Sequence, residues 1–205
     1  MGLEQIRVGV DNFCYVVYDE QEHIAAVIDP SFDLTPTLLF LESFNLDVRY
    51  IIATHYHHDH TSEIETLKKH FPKAALIASV DDGKLLPGSV DIFVGDDEHL
   101  KVGTIELQFF ITPGHTQGSI CILVDQKFLL TGDTLFIGNC GRTDLPGGSL
   151  KQMFDSLQRI KKLSDTIIVY PGHDYGDKPF DTLKNQKKTN VTLRAKNIVE
   201  FSKIP

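Results

Sequence analysis

No run of apolar residues in this chain of 205 approaches the roughly 20 that a membrane-crossing helix needs, so no spanning helix is expected. The opening residues, MGLEQIRVGV, hold no apolar run behind a basic region and do not read as a secretion signal. Cysteine is scarce. Cys14, Cys121 and Cys140 cannot all pair within one chain, and their spacing matches neither a disulfide framework nor a zinc–thiolate motif. A reducing, cytoplasmic setting is the expectation that follows. Basic charge is in the minority, with 20 Lys and Arg against 28 Asp and Glu for a net −8. That sign repels phosphate backbones and anionic headgroups, so neither nucleic acid nor membrane is expected as a partner. Linkers, repeats and low-complexity tracts are missing as well. The length suits one domain over residues 1–205, with a short helical tail from about residue 181. What is present is 41 % hydrophobic and 23 % charged residues, enough apolar surface to bury a core.

Residues 6–10, 13–18 and 23–28 read as short strands rich in β-branched and aromatic side chains, the third closed by Asp29-Pro30. Thr35-Pro36 opens a helix to about Leu46, with Leu38, Leu39, Leu41 and Phe44 on its apolar face. Residues 48–53 are an apolar run of the kind buried on both faces. Residues 62–71 then read as a helix and 74–78 as a strand. Residues 99–112, 119–124 and 127–131 form an antiparallel meander, followed by a helix over 149–163 with Ser149 at its N-cap. A strand over 166–170 and a helix over 192–202 close the chain. Two halves, each beginning with strands, predict two sheets face to face with helices outside.

Polar ligand-type residues gather where these strands end. THYHHDHTS (residues 54–62) follows the buried run at 48–53 and sets His55, His57, Asp59 and His60 in an H-x-H-x-D-H spacing. Alternation along an extended segment puts His55 and His57 on one side, and the turn into the next helix brings Asp59 and His60 alongside. Packing gives no reason for four such residues there. Three further strand exits repeat the pattern: Pro113-Gly114-His115, Gly132-Asp133 and Pro171-Gly172-His173. Imidazole and carboxylate donors suit zinc, iron or manganese, and seven ligands suit two ions sharing a carboxylate. His23, His70 and His99 have no such company and read as surface residues. His58, a spacer, is expected to point away.

Taken in order, THYHHDHTS, TPGHTQGS (residues 112–119), TGDTLF (131–136) and YPGHDY (170–175) resemble the sequential metal motifs of the metallo-β-lactamase superfamily. The resemblance implies an α/β fold, an αββα sandwich of two mixed sheets with the metal site at one edge. It assigns His55, His57 and His115 to a first metal, Asp59, His60 and His173 to a second, and Asp133 to a bridge. True β-lactamases usually carry cysteine at the Asp133 position, flavo-diiron reductases carry glutamate at the His57 position, and the β-CASP nucleases need a large inserted domain.

Residues 135–148, LFIGNCGRTDLPGG, are similar to glyoxalase II with its short relatives and also to the persulfide dioxygenases. The first likeness implies a two-ion hydrolase, with zinc expected and iron or manganese as alternatives. It would act on a thioester such as S-D-lactoylglutathione by attack of a metal-bound hydroxide, with Asp59 also orienting or deprotonating the water. The second implies one Fe(II) held by His55, His115 and Asp133, oxidising glutathione persulfide. A non-catalytic relative is the third reading, and the intact ligand set speaks against it. In either enzyme the partner is a small thioester or glutathione-type thiol conjugate, and the chain a monomer or homodimer. Arg142 offers a forked donor pair to a substrate carboxylate, or a salt bridge to Asp144 that orders the loop. Asp174 and Tyr175 are placed to orient His173 or line the pocket, and Cys140 reads as a packing residue. Only about thirty residues follow His173, room for one or two helices instead of the glutathione-binding domain of glyoxalase II. Among these, Lys178, Lys187 and Arg194 are candidate anion contacts.

Overall fold

In the computed structural model, which describes residues 1–204, the strand-forming runs pair in the order in which they occur along the chain. β1 (Gly2–Val8), β2 (Asn12–Asp19) and β3 (Ile24–Ile28) make an antiparallel meander. β4 (Asp47–Ile52), β5 (Ala75–Ser79) and β6 (Ile92–Val94) extend it in parallel. Parallel neighbours need crossovers. These carry α1 (Thr35–Ser43), then α2 (His58–Thr61) and α3 (Ile64–His70), then α4 (Val80–Gly83). The second sheet has β7 (His99–Val102), β8 (Ile105–Ile111), β9 (Ile120–Val124) and β10 (Phe128–Leu130) antiparallel. After α5 (Leu150–Ile160), β11 (Ile168–Tyr170) pairs parallel to β10, and β12 (Asp181–Thr182) lies outermost. α6 (Leu183–Thr189), α7 (Val191–Arg194) and α8 (Ile198–Phe201) complete the described chain.

Side-chain alternation in β2 shows why the layers form. Phe13, Tyr15 and Val17 face the second sheet and pack with Leu107, Phe109, Ile122 and Leu130, whereas Cys14 and Val16 face α1 and α3 and meet Leu41 and Leu67. On the far side Met153, Leu157 and Ile160 of α5 cover Cys121, Leu129 and Val169. Three apolar layers between four layers of structure make the expected αββα sandwich, each fully buried aliphatic side chain contributing roughly 1.5–3 kcal/mol.

Several boundaries differ from expectation for local reasons. α1 stops at Ser43 because Asn45 turns the chain at φ 50. The strand expected over 99–112 is a hairpin, broken where Gly103 sits at φ 61 and Asp19 accepts hydrogen bonds from Thr104 N and Oγ1 (2.8 and 2.7 Å). The closing helix over 192–202 is two short helices, because Asn190 and Asn197 adopt extended backbone and cap α7 and α8 with their side chains. The segment after His173 therefore holds three helices, where one or two were expected. β6, β12 and α4 were not expected. Ser149 does cap α5, accepting from Gln152 N at 3.3 Å. Among the described residues no helix is long and apolar enough to cross a membrane.

Candidate metal centre

Four strands end at one edge of the sandwich, and each delivers ligand-type side chains where its ladder stops. β4 runs through Ala53 and Thr54 into His55 and His57, and the extended backbone of His57 (ψ 142) turns into α2, which carries Asp59 and His60. β8 leads through Pro113-Gly114 to His115, β10 through Gly132 to Asp133, and β11 through Pro171-Gly172 to His173. Gly172 is required by close approach: a Cβ there would overlap Asp133 Oδ1 and lie 2.9 Å from His60 Cε1.

The seven side chains expected from the sequence meet here. His57 Nδ1 is 2.9 Å from His115 Nε2, and His60 Nε2 is 3.1 Å from His173 Nε2. Asp133 stands between the pairs, with Oδ1 3.3 Å from His60 Nε2 and Oδ2 3.5 and 3.4 Å from Nε2 of His115 and His173. Asp59 Oδ2 lies 3.4 Å from His173 Nε2 and 3.7 Å from His60 Nε2. Three groups have ligand atoms mutually within 4.8 Å: His55, His57 and His115; His55, His60 and Asp133; and Asp59, His60 and His173.

Two further observations test whether a divalent cation fits. Buried His55 Nε2 has no hydrogen-bond partner, and neither has Asp133 Oδ1 despite its nearness to His60. Leaving such an atom unpaired costs about 1–3 kcal/mol, which coordination removes. The opposite ring nitrogens are engaged: His60 Nδ1 with Asp29 Oδ2 (3.0 Å), His115 Nδ1 with the Arg142 carbonyl (2.8 Å) and His173 Nδ1 with Asp11 Oδ1 (3.2 Å). His55 Nδ1 lies 3.1 Å from Thr54 Oγ1, which itself donates to Asp29 Oδ2 at 2.7 Å. Nδ1–H donation to these acceptors turns each Nε2 lone pair toward the centre. The donor set and its orientation fit the cation.

The charges agree. Burial, helped by neighbouring His60, drives the pKa of His55 well below that of a free imidazole. Burial acts the same way on His60 and His173, but Asp133 and Asp29 outweigh it at His60, and Asp133 and Asp59 at His173, raising His173 to about 9. Burial would raise Asp133, yet His60 and His173 hold it well below the usual carboxylate range. Asp59 is depressed in the same way, against its burial, by His173, His60 and Asn12. A site that draws protons onto two histidines is one where positive charge is favoured.

Of the other residues singled out, Tyr175 stacks on His173 (centroids 4.6 Å, planes 10° apart) and lines a cavity of about 340 Å³ with Phe136, His115, Asp133, Cys140 and Arg142. The Arg142 guanidinium forks onto Asp144 at 2.7 and 2.8 Å, so the loop-ordering role is the one seen, while its carbonyl holds His115. Asp174 accepts from Arg7 at 3.1 Å and does not touch His173 through its side chain. Burial pushes the Cys140 thiol up to about 11, in keeping with a packing residue. Lys178 pairs with Asp181 (3.5 Å) and Lys187 with Asp165 (2.6 Å), so neither faces the site, and Arg194 lies in a separate surface groove beside Lys161 and Lys187. His23, His58, His70 and His99 are exposed.

Sequence reasoning missed Asp29, Thr54, Asp11 and Asn12. Asn12 Nδ2 donates to Asp59 O and Oδ2 (3.0 and 3.2 Å). The signal for Asp29 was present, since it follows a buried strand as the other site residues do. It read instead as a strand terminator. Asp11-Asn12 looks like any hairpin turn and carries no signal.

The family model described as the Metallo-beta-lactamase superfamily matches residues 7–173. A hydroxyacylglutathione hydrolase of Pelagibacter ubique (strain HTCC1062) is 34 % identical over 203 residues, 98 % of this chain and 83 % of that protein. A probable polyketide biosynthesis zinc-dependent hydrolase, PksB of Bacillus subtilis (strain 168), is 32 % identical over 186 residues, 89 % of this chain and 82 % of that one. Among solved structures, ETHE1 from Myxococcus xanthus superposes with a TM-score of 0.89 at 29 % identity, covering 100 % of this chain and 92 % of the other.

Proposed function

This chain belongs to the metallo-β-lactamase superfamily, and on that premise we propose that it hydrolyses a thioester of a small, glutathione-type thiol, such as S-D-lactoylglutathione, at a centre of two divalent ions. The observation that carries the reading is Asp133, whose carboxylate reaches His115 of one ligand group and His60 and His173 of the other within 3.5 Å. That position supports Asp133 as a shared ligand. Relatives named hydroxyacylglutathione hydrolase support the substrate class, and a relative named zinc-dependent supports zinc.

Ions held by His55, His57 and His115 on one side and Asp59, His60 and His173 on the other would lower the pKa of water toward neutrality and polarise the thioester carbonyl. The chain supplies the rest. Asp59, with its side chain 40 % exposed, is open to solvent, and Asn12 fixes its orientation, so its carboxylate is placed to accept a proton from the attacking water. Phe136 and Tyr175 give the cavity apolar walls, and Arg142 is among the residues that line it. A thiolate leaves without protonation, so no strong general acid is required.

A second reading, oxygen-dependent oxidation of glutathione persulfide at one Fe(II), rests on the resemblance of residues 135–148 to the persulfide dioxygenases, with weaker support from the likeness to ETHE1. Elemental analysis of the purified protein, with thioester hydrolysis and oxygen uptake measured in parallel, separates them. Two ions per chain with thioester turnover are expected, and His173→Ala should abolish turnover. One iron per chain, no thioester turnover and oxygen uptake with persulfide would overturn the hydrolase reading.

A further inference from the structure

Behind the His55–His57–His115 group lies a carboxylate that belongs to none of the ligand sets. Asp82, in α4, is 2 % exposed. Its Oδ2 accepts from Tyr56 N (3.0 Å) and Thr116 Oγ1 (2.6 Å), and its Oδ1 accepts from Gly118 N (2.7 Å). Among the described residues no basic side chain pairs with it, so these three donors carry its charge. Tyr56 separates His55 from His57, and Thr116 follows His115. One buried side chain therefore ties the β4 exit loop to the β8 exit loop, each within one residue of a ligand. Ser119 Oγ bonds Thr116 on its far side (2.6 Å), Ser79 caps α4 beneath, and Gly118 leaves no space, since a Cβ there would come within 2.5 Å of Asp82 N and Oδ1.

We propose that Asp82 is a positioning residue that sets the spacing between His55 and His57 on one loop and His115 on the other, and so the affinity of that group for its ion. A carboxylate is needed because both oxygens accept. In Asp82→Asn the amide nitrogen must face either Gly118 N–H or Tyr56 N–H, so one buried donor meets another. The loops separate to relieve this, and the 2.9 Å approach of His57 Nδ1 to His115 Nε2 opens.

The inference rests on the two-ion reading only for the ion held by His55, His57 and His115, and it needs no substrate. Zn²⁺ affinity is measured by competition with a chromophoric chelator, and the site is reported by the absorption spectrum of the Co²⁺-substituted protein. Asp82→Asn should weaken one of two bound ions by about tenfold to a hundredfold and alter the Co²⁺ spectrum, with the circular dichroism of the metal-free protein unchanged. Thr116→Val should weaken the same ion less, and Thr116→Ser should restore it. Affinities within twofold of wild type and an unchanged spectrum in Asp82→Asn would overturn the proposal. If Asp82→Asn does not fold, equal affinities of Thr116→Val and Thr116→Ser would overturn it. Wild-type protein that takes up no ion overturns both this and the function above. A wild type with two ions and an indifferent Asp82→Asn overturns only this.

Discussion

Asp29 offers the sharpest test of how the centre is held. Its two oxygens serve three donors: Thr54 N at 2.7 Å, Thr54 Oγ1 at 2.7 Å and His60 Nδ1 at 3.0 Å. Through Thr54 it also bears on His55, so one side chain reaches a ligand of each group. It sits at φ 54, a backbone region that Asn adopts as readily as Asp, so Asp29→Asn changes chemistry without adding backbone strain. An amide has two placements. With its nitrogen toward Thr54 N–H, two buried donors face each other, at a cost of about 1–3 kcal/mol. With its nitrogen toward His60, that ring must accept at Nδ1, the proton moves to Nε2, and His60 can no longer ligate. Either way the affinity of the Asp59–His60–His173 ion should fall by about tenfold to a hundredfold, or about 1.4–2.8 kcal/mol. Chelator competition reads that loss directly, and thioester turnover at limiting zinc should fall in parallel. Asp29→Asn protein that keeps both ions within twofold of wild-type affinity would refute the argument.

Other consequences are as direct. Gly172→Ala should displace Asp133 and His60 together, leaving a folded protein by circular dichroism with less than one ion per chain by elemental analysis. Asp19 is held at about 2 by its hydrogen bonds from Thr104, below its value near 3.9 in the unfolded chain. Its contribution to stability is therefore complete above pH 4 and lost as pH falls through 2. Asp19→Asn should be less stable at neutral pH and flatter in its acid limb, read by thermal unfolding against pH. Leu157→Ala, cut from the fully buried face of α5, should lose about 3 kcal/mol in urea unfolding while metal content stays unchanged.

The candidate ligands were legible because metal chemistry restricts residue type and because strands end in recognisable ways. The buried apolar runs at β8, β10 and β11 stop at glycine or proline and the one at β4 runs straight into His55, and the histidine or aspartate that follows has no packing reason to be there. The Ser149 cap of α5 was legible for a similar reason, since a cap depends on near neighbours. The fate of Arg142 was not. A guanidinium suits a substrate carboxylate and Asp144 equally, and only the fold shows it forked onto Asp144. The closing segment failed for a related reason: Asn190 and Asn197 cap helices instead of continuing one, and capping depends on the backbone angle the residue adopts.

From the sequence alone came the chemistry: seven ligand-type side chains, their order along the chain, and a sandwich with enough apolar surface to hold them. Tertiary structure decided what surrounds them. Asp29, Asp82, Asn12 and Asp11 bond groups 31, 34, 47 and 162 residues away along the chain, and apart from the strand end that precedes Asp29 nothing local marks them. A ligand is recognisable by its own chemistry. The residue that aims a ligand is an ordinary acid or amide until folding brings the two within hydrogen-bonding distance, because hydrogen bonding depends on distance and not on position in the chain.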